Sequence, residues 1–122
     1  MAILNKKTAQ LLAKWLIIKR IDLDDIFGAL SSVPRRRILK FLSQTALSTT
    51  ELAQRFALSP PAVSRHLAVL QRAGLVVSER QGQSVLYRVN RDVLLGALAR
   101  FASELDGPLR REAAHHSPRE AI

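Results

Sequence analysis

The stretch FALSPPAVSRHLAVLQRAGLVV, Phe56 to Val77, holds the residues with the greatest capacity for specific chemistry. Placed at about 100° per residue with Val63 as origin, Leu67 and Leu70 fall within roughly 40° and define an apolar side. Pro61, Ser64, Arg65, Ala68 and Arg72 fall on the opposite half, between roughly 100° and 200°. That half carries two arginines, a hydroxyl and no carboxylate. A face of this kind suits a polyanion. Guanidinium groups read the O6/N7 edge of guanine or clamp phosphates, and a hydroxyl serves a base, a phosphate or its own helix. A second polar set, Arg80, Gln81, Gly82 and Gln83, fits phosphate or minor-groove contact, against simple turn chemistry around the glycine. Arg35, Arg36 and Arg37 form a third; not all of them can face a core, and Arg37 joins the DNA candidates. His66 flanks the apolar side and is expected to make a structural hydrogen bond rather than to act as a ligand or switch.

Composition narrows the partner. The chain has 122 residues, 19 Lys+Arg against 10 Asp+Glu, a net charge of +9 and no cysteine. That length suits one domain with a modest core. The absence of thiols excludes disulfides and thiolate metal sites and is compatible with a reducing cytoplasm. From Pro34 to Asn90 nine residues are basic and two, Glu51 and Glu79, are acidic, so the excess is concentrated mid-chain. Nucleic acid is the first candidate for such a surface, with a merely solvated basic face as the alternative. The apolar run Trp15–Ile18 is far too short to span a bilayer. Lys14 interrupts the wider N-terminal apolar region and no small-residue cleavage site follows, so the N-terminal segment is expected to belong to the mature protein.

The elements that must position these groups are legible from their boundaries. Leu11, Leu12, Trp15, Leu16 and Ile18 mark one face of a helix between Lys6 and Lys19. Asp22 or Asp24 can cap a short helix through Leu30, and Pro34 suits the first turn of another, with Ile38, Leu39, Phe41 and Leu42 inward. Ser48-x-x-Glu51 is a capping box with Leu47 and Leu52 as its hydrophobic staple, opening a helix to about Phe56. After a three-residue turn, Ser59 can cap the next helix. Pro60 and Pro61 then occupy the first two positions, where backbone N–H groups have no intrahelical partner, so the proline pair starts a helix rather than breaking one. Ser59 must cap the amide of Ala62, because Pro61 has none, and Gly74 suits a left-handed stop. Two β-rich segments, about Leu75–Arg80 and Ser84–Val89, flank Gln81-Gly82-Gln83 as a hairpin; Val85, Tyr87 and Val89 share a strand face, with packing as the default. Asn90 caps a last helix with Leu94, Ala97, Leu98, Phe101 and Leu105 on one stripe, and the Gly-Pro and Ser-Pro breaks beyond it point to a frayed tail. The fold class is mainly α with a small antiparallel hairpin. Residues 1–105 form one winged helix-turn-helix domain: an N-terminal helix in 1–21, the helix-turn-helix in 48–73, the wing in 75–90 and a C-terminal helix in 91–105. Residues 106–122 are expected to be a flexible tail.

Over about Asp25 to Leu105 the sequence resembles the ArsR/SmtB family of bacterial repressors. The carriers are IFGALSSVPRRRILKFL, TTELAQRFALSPPAVSRHLAVLQRAGLV and RQGQSVLYRVN, and the combination Ser64-x-His66-Leu67-x-x-Leu70, Ala73-Gly74-Leu75-Val76 and an Arg-x-Gly wing is specific. The resemblance implies operator binding as a dimer through the first and last helices, assigning Leu11, Leu12, Trp15, Leu16, Ile18, Leu94, Leu98, Phe101 and Leu105 to the interface. It implies DNA contact by Pro60, Pro61, Ser64, Arg65, Ala68, Arg72, Arg80, Gln81, Gly82, Gln83 and Arg37. Where the family has polar side chains that read bases, this chain has Pro60 and Pro61, which shifts direct readout onto Ser64 and Arg65 and leaves Pro61 an apolar contact. Two family metal sites are ruled out by residue type: TTELAQRF has no thiolate, and Asp92 is followed at the required spacing by Leu94. Only Glu112, His115 and His116 remain as tail donors, so no metal and no cofactor is expected and the inducer is unknown. The expected function is a sequence-specific double-stranded DNA-binding repressor, homodimeric and cytoplasmic, on a near-palindromic operator. The alternatives are a non-specific nucleic-acid or architectural module, a metal-responsive repressor using the tail histidines, and a protein- or membrane-docking module built on the first helix. No paired carboxylates, nucleophile–base set or phosphate loop supports an enzyme.

Overall fold

The computed structural model describes residues 5–106, with side chains throughout except at 17–20. The elements run α1 (Lys6–Arg20), α2 (Leu23–Leu30), α3 (Val33–Gln44), α4 (Thr49–Arg55), α5 (Pro60–Arg72), β1 (Val76–Gln81), β2 (Ser84–Val89) and α6 (Arg91–Asp106). Among the described residues no helix is long and apolar enough to cross a membrane. Ile18 and the tail beyond 106, including Glu112, His115 and His116, lie outside the described side chains.

Local chemistry sets most of these boundaries. Asp22 caps α2, its carboxylate accepting from the amides of Asp24 and Asp25 at 2.9 and 3.3 Å. At α4 the Ser48 amide donates to Glu51 Oε1 at 2.9 Å and the Glu51 amide to Ser48 Oγ at 3.1 Å, a complete capping box. Hydrogen bonding to the carboxylate, by the Ser48 amide first and the Ser48 hydroxyl second, holds the Glu51 carboxyl below its ordinary range. Asn90 accepts from the amide of Val93 at 3.3 Å and so opens α6.

The end of α3 facing α2 was not legible. Positive charge in a first turn opposes the helix dipole. Here the arginines reach backwards. Arg35 Nε donates to the Ala29 carbonyl at 2.7 Å and Arg36 to that of Leu30 at 2.6 Å, satisfying the C-terminal carbonyls of α2, where cations are favoured.

One core joins α2 through α6, with Ile26, Ile38, Leu42, Leu52, Val63, Leu67, Leu70, Leu75, Val76 and Ala97 among its buried members. The two strands pair antiparallel from Val76↔Val89 to Gln81↔Ser84. Leu47 adds a bridge to Tyr87, with N–H to carbonyl distances of 3.0 and 2.8 Å, fixing the hairpin to the entrance of α4. Because Gln81 and Ser84 pair, the loop is two residues, Gly82-Gln83, rather than the three expected. Gly82 has φ +62 and Gln83 does not have positive φ, the pattern of a II′ turn that matches strand twist. The link from α4 to α5 spans 56–59, one residue longer than expected, with Phe56 half-buried as the cap that closes α4.

α1 rests on α6 rather than in the core. Lys14 pairs with Asp92 at 3.5 Å, and Arg100 donates to the Ile21 carbonyl at 2.9 Å. The buried side of α6 is Val93 and Ala97. Leu94, expected on the dimer stripe, is half-buried and packs against the protomer's own core. Leu11, Leu12, Trp15 and Leu16 on α1 and Leu98, Phe101 and Leu105 on α6 are between 40 and 62% exposed.

Candidate nucleic-acid interface

Ser59 Oγ accepts from the amide of Ala62 at 3.3 Å, and Pro60 is the first residue of α5. The proline pair starts the helix. Its stop is equally determined: the Leu75 amide donates to the Leu70 carbonyl at 2.9 Å and the Gly74 amide to that of Gln71 at 3.0 Å. Gly74 has φ +82, and Leu70 and Leu75 are both fully buried. This is a Schellman closure with its hydrophobic contact. Val63, Leu67 and Leu70 anchor the helix in the core, which leaves Pro60, Pro61, Ser64, Arg65 and Ala68 exposed on one continuous face.

The wing is held relative to that face. Gln71 Nε2 donates to Ser78 Oγ at 3.1 Å, linking the last turn of α5 to β1. Gln81, Gly82 and Gln83 are exposed at the tip, and Arg80 is exposed with its Nε 3.5 Å from the Gly82 carbonyl, the outer limit of a hydrogen bond. Arg88 and Glu79 form an exposed cross-strand ion pair at 3.7 Å.

Other predicted residues fall elsewhere. Arg72 is exposed, but it lines a surface depression with Asp24 and Asp25, an acidic setting, about 16 Å along the helix from Pro61. Arg37 stands over the Phe56 ring at 5.1 Å, and Arg55 over Phe41 at 5.9 Å. The two rings meet edge-on at 5.3 Å. This cation–aromatic ladder across α3 and α4 orients Arg37 and brings in Arg55, which sequence reasoning missed. Its only sequence signal is the pair of Phe–Arg neighbours, uninformative without the helix–helix contact.

His66 is partly buried and makes no hydrogen bond among the described residues, so the structural bond expected of it is absent. Burial first, and then the charges of Arg35 and Arg65, hold its imidazole below the ordinary histidine range. Among the described residues no group of three or more His, Asp or Glu side chains converges as a metal site.

The arrangement of paired helices with a hairpin beside the second is matched by known proteins. The family described as "Bacterial regulatory protein, arsR family" matches residues 32–78, from the cap of α3 into β1. The transcriptional repressor SdpR of Bacillus subtilis is 33% identical over 72 residues, 59% of this chain and 80% of the relative.

The chain belongs to the ArsR family.

Solved members of the ArsR family share the architecture. An ArsR-like transcriptional regulator from Rhodococcus sp. RHA1 superposes with a TM-score of 0.65 at 37% identity, over 75% of this chain and 87% of that one. The homodimeric winged helix-turn-helix DNA-binding domain Mb0332 of Mycobacterium bovis, described as a possible ArsR-family regulator, does so with a TM-score of 0.54 at 25% identity. The superposition covers 96% of this chain and 98% of the Mb0332 fragment. The family consists of DNA-binding transcriptional regulators, not enzymes, and this ArsR member is a winged-helix DNA-binding transcription regulator.

Proposed function

We propose that this chain is a homodimeric repressor that occludes a promoter by binding a near-palindromic operator. The observation that carries the reading is the exposed start of α5, where Ser64 and Arg65 stand free of any acid on a helix whose ends are both fixed. In this reading Arg65 reads a guanine edge and Ser64 a base or phosphate. Pro60, Pro61 and Ala68 supply apolar contact, and Arg37, Arg80, Gln81, Gly82 and Gln83 hold phosphates or the minor groove. Arg72 contributes least, given Asp24 and Asp25 beside it.

The apolar faces of α1 and α6 support a two-fold dimer, since exposed contiguous leucines, a tryptophan and a phenylalanine mark an interaction surface. A two-fold axis sets two recognition helices about 34 Å apart, one DNA turn, and makes the operator palindromic. A DNA partner implies a cytoplasmic location.

Footprinting on genomic fragments, with and without Zn²⁺ or Ni²⁺, tests the reading. A discrete protected site of two half-sites supports it; uniform, steeply salt-dependent coverage would establish the second reading, a sequence-blind nucleic-acid binder. That second reading draws on Pro60 and Pro61, which remove two side-chain donors and two amides from the helix start.

A further inference from the structure

We propose that a cavity between α3 and α6 is an effector site for a single-tailed apolar carboxylate, an inference that rests on the regulator reading above. The cavity measures about 290 Å³, near the lower end of small-ligand sites. Leu30 and Leu39 form one wall and Val89 and Leu94 the other.

Its rim is cationic. Arg36, Lys40 and Arg91 line it and no carboxylate does. Arg36 gives one N–H to the Leu30 carbonyl at 2.6 Å, and Arg91 one to the Ser43 carbonyl at 2.7 Å, so both guanidinium groups are oriented by the fold. A guanidinium has five N–H donors, which leaves each of them able to take an anion. The Lys40 ammonium makes no hydrogen bond or ion pair among the described residues, its carbonyl alone accepting from Ser43 Oγ, and Asp92, the nearest acid in sequence to Arg91, is paired with Lys14.

An apolar floor under an acid-free rim of three cations calls for a ligand with a hydrocarbon body and an anionic head. DNA does not fit, because the floor offers phosphate nothing. The α1 helix of a second copy fits poorly, because KKTAQLLAKWLIIKR has no acid and would bring cations to cations. At about 30 Å³ per heavy atom the cavity holds about ten heavy atoms, the hydrocarbon tail of decanoate with its carboxylate left at the cationic rim.

The position gives such a ligand leverage. α3 carries Arg37 and packs on α5, Val89 ends the wing, and α6 is the helix assigned to the dimer. A ligand wedged between α3 and α6 therefore touches the elements that set the spacing of two recognition helices, and it shifts operator affinity if it fits one spacing better than the other.

The test is titration of the full chain with decanoate, decanol and decyltrimethylammonium, followed by methyl NMR, beside operator affinity measured with and without decanoate. Saturable decanoate binding with shifts at Leu30, Val89 and Leu94 is expected, at least tenfold tighter than decanol or the cation. Lys40→Gln should weaken it about fivefold while leaving the fold and ligand-free operator affinity within about twofold. Decanoate should lower operator affinity about fivefold or more. No saturable binding, equal binding of the cation, or shifts confined to Leu98, Phe101 and Leu105 overturns the site; binding without any change in operator affinity overturns its effector role. Absence of any discrete operator for the ligand-free protein counts instead against the regulator reading, and the decanoate titration still decides the cavity.

Discussion

Gln71 Nε2 and Ser78 Oγ meet at 3.1 Å and couple α5, the proposed recognition helix, to the wing across a left-handed glycine. Both side chains are exposed, so the bond contributes little to global stability, about 1 kcal/mol or less. Its role is angular. Ser78→Ala should leave the melting temperature nearly unchanged and weaken operator binding several-fold, with footprint protection lost first at the flanks the wing covers. Unchanged flank protection would show that the Leu47–Tyr87 bridge alone sets the wing.

Arg65→Ala should cost specific binding about 1–3 kcal/mol and relax preference at one base position per half-site. Competition between operator variants at fixed salt measures this. An equal loss on every sequence would make Arg65 a phosphate clamp. Because Pro60 and Pro61 carry no donors, the single-base profile should be flat outside one or two positions, and broad strong readout would contradict that.

Leu98→Glu should convert the dimer to a monomer, as seen by analytical ultracentrifugation. Leu98 is 43% exposed and outside the buried core, so the monomer should remain folded. Operator affinity should fall at least a hundredfold as the second half-site contact is lost. A folded, dimeric variant with full affinity would move the interface elsewhere.

Two groups give pH dependence of the same sign. Burial and the nearby arginines depress the His66 pKa below 6.5, so the folded state binds that proton less readily than the unfolded chain. Its contribution to stability is complete above about 6.5 and is lost as pH falls through the lower folded value. Glu51 behaves likewise lower down, its capping-box contribution present above about 4.5 and lost on further acidification. Denaturation of His66→Gln between pH 7.5 and 5 should show a flatter acid limb than the parent. Glu51→Ala should destabilise the fold at neutral pH and much less below the Glu51 pKa, where the carboxyl no longer holds the Ser48 amide as a carboxylate.

The readable features were the ones that close within a few residues. Ser48 with Glu51, Ser59 with Ala62, Asn90 with Val93 and the stop at Gly74 each follow from residue type at short spacing. The arginine contacts from α3 back to α2 were missed because helix-end electrostatics depends on how the next helix enters. Arg91 to Ser43 and Arg100 to Ile21, separated by 48 and 79 residues, have no local signal at all. On α6, spacing identified an apolar side of which Val93 and Ala97 are the buried members, with Leu94 half-buried beside them. At the candidate interface, wheel geometry located Ser64 and Arg65, while the acidic neighbours of Arg72 became visible only once α2 lay beside α5.

Arg35, Arg36 and Arg91 each give N–H groups to a backbone carbonyl of their own chain. Arg36 and Arg91 line the cavity between α3 and α6 and not the exposed face of α5, so net charge overstates how many cations meet a duplex. A dimer engaging phosphates through Arg37 and Arg80 of each protomer would release about four counterions, a slope of about −4 in log affinity against log salt. Affinity should thus decline with salt far less steeply than a +9 chain counted twice would imply. The arginines joining α2 to α3, being bonded to carbonyls rather than to carboxylates, should keep their hold in brine that strips the protein from DNA.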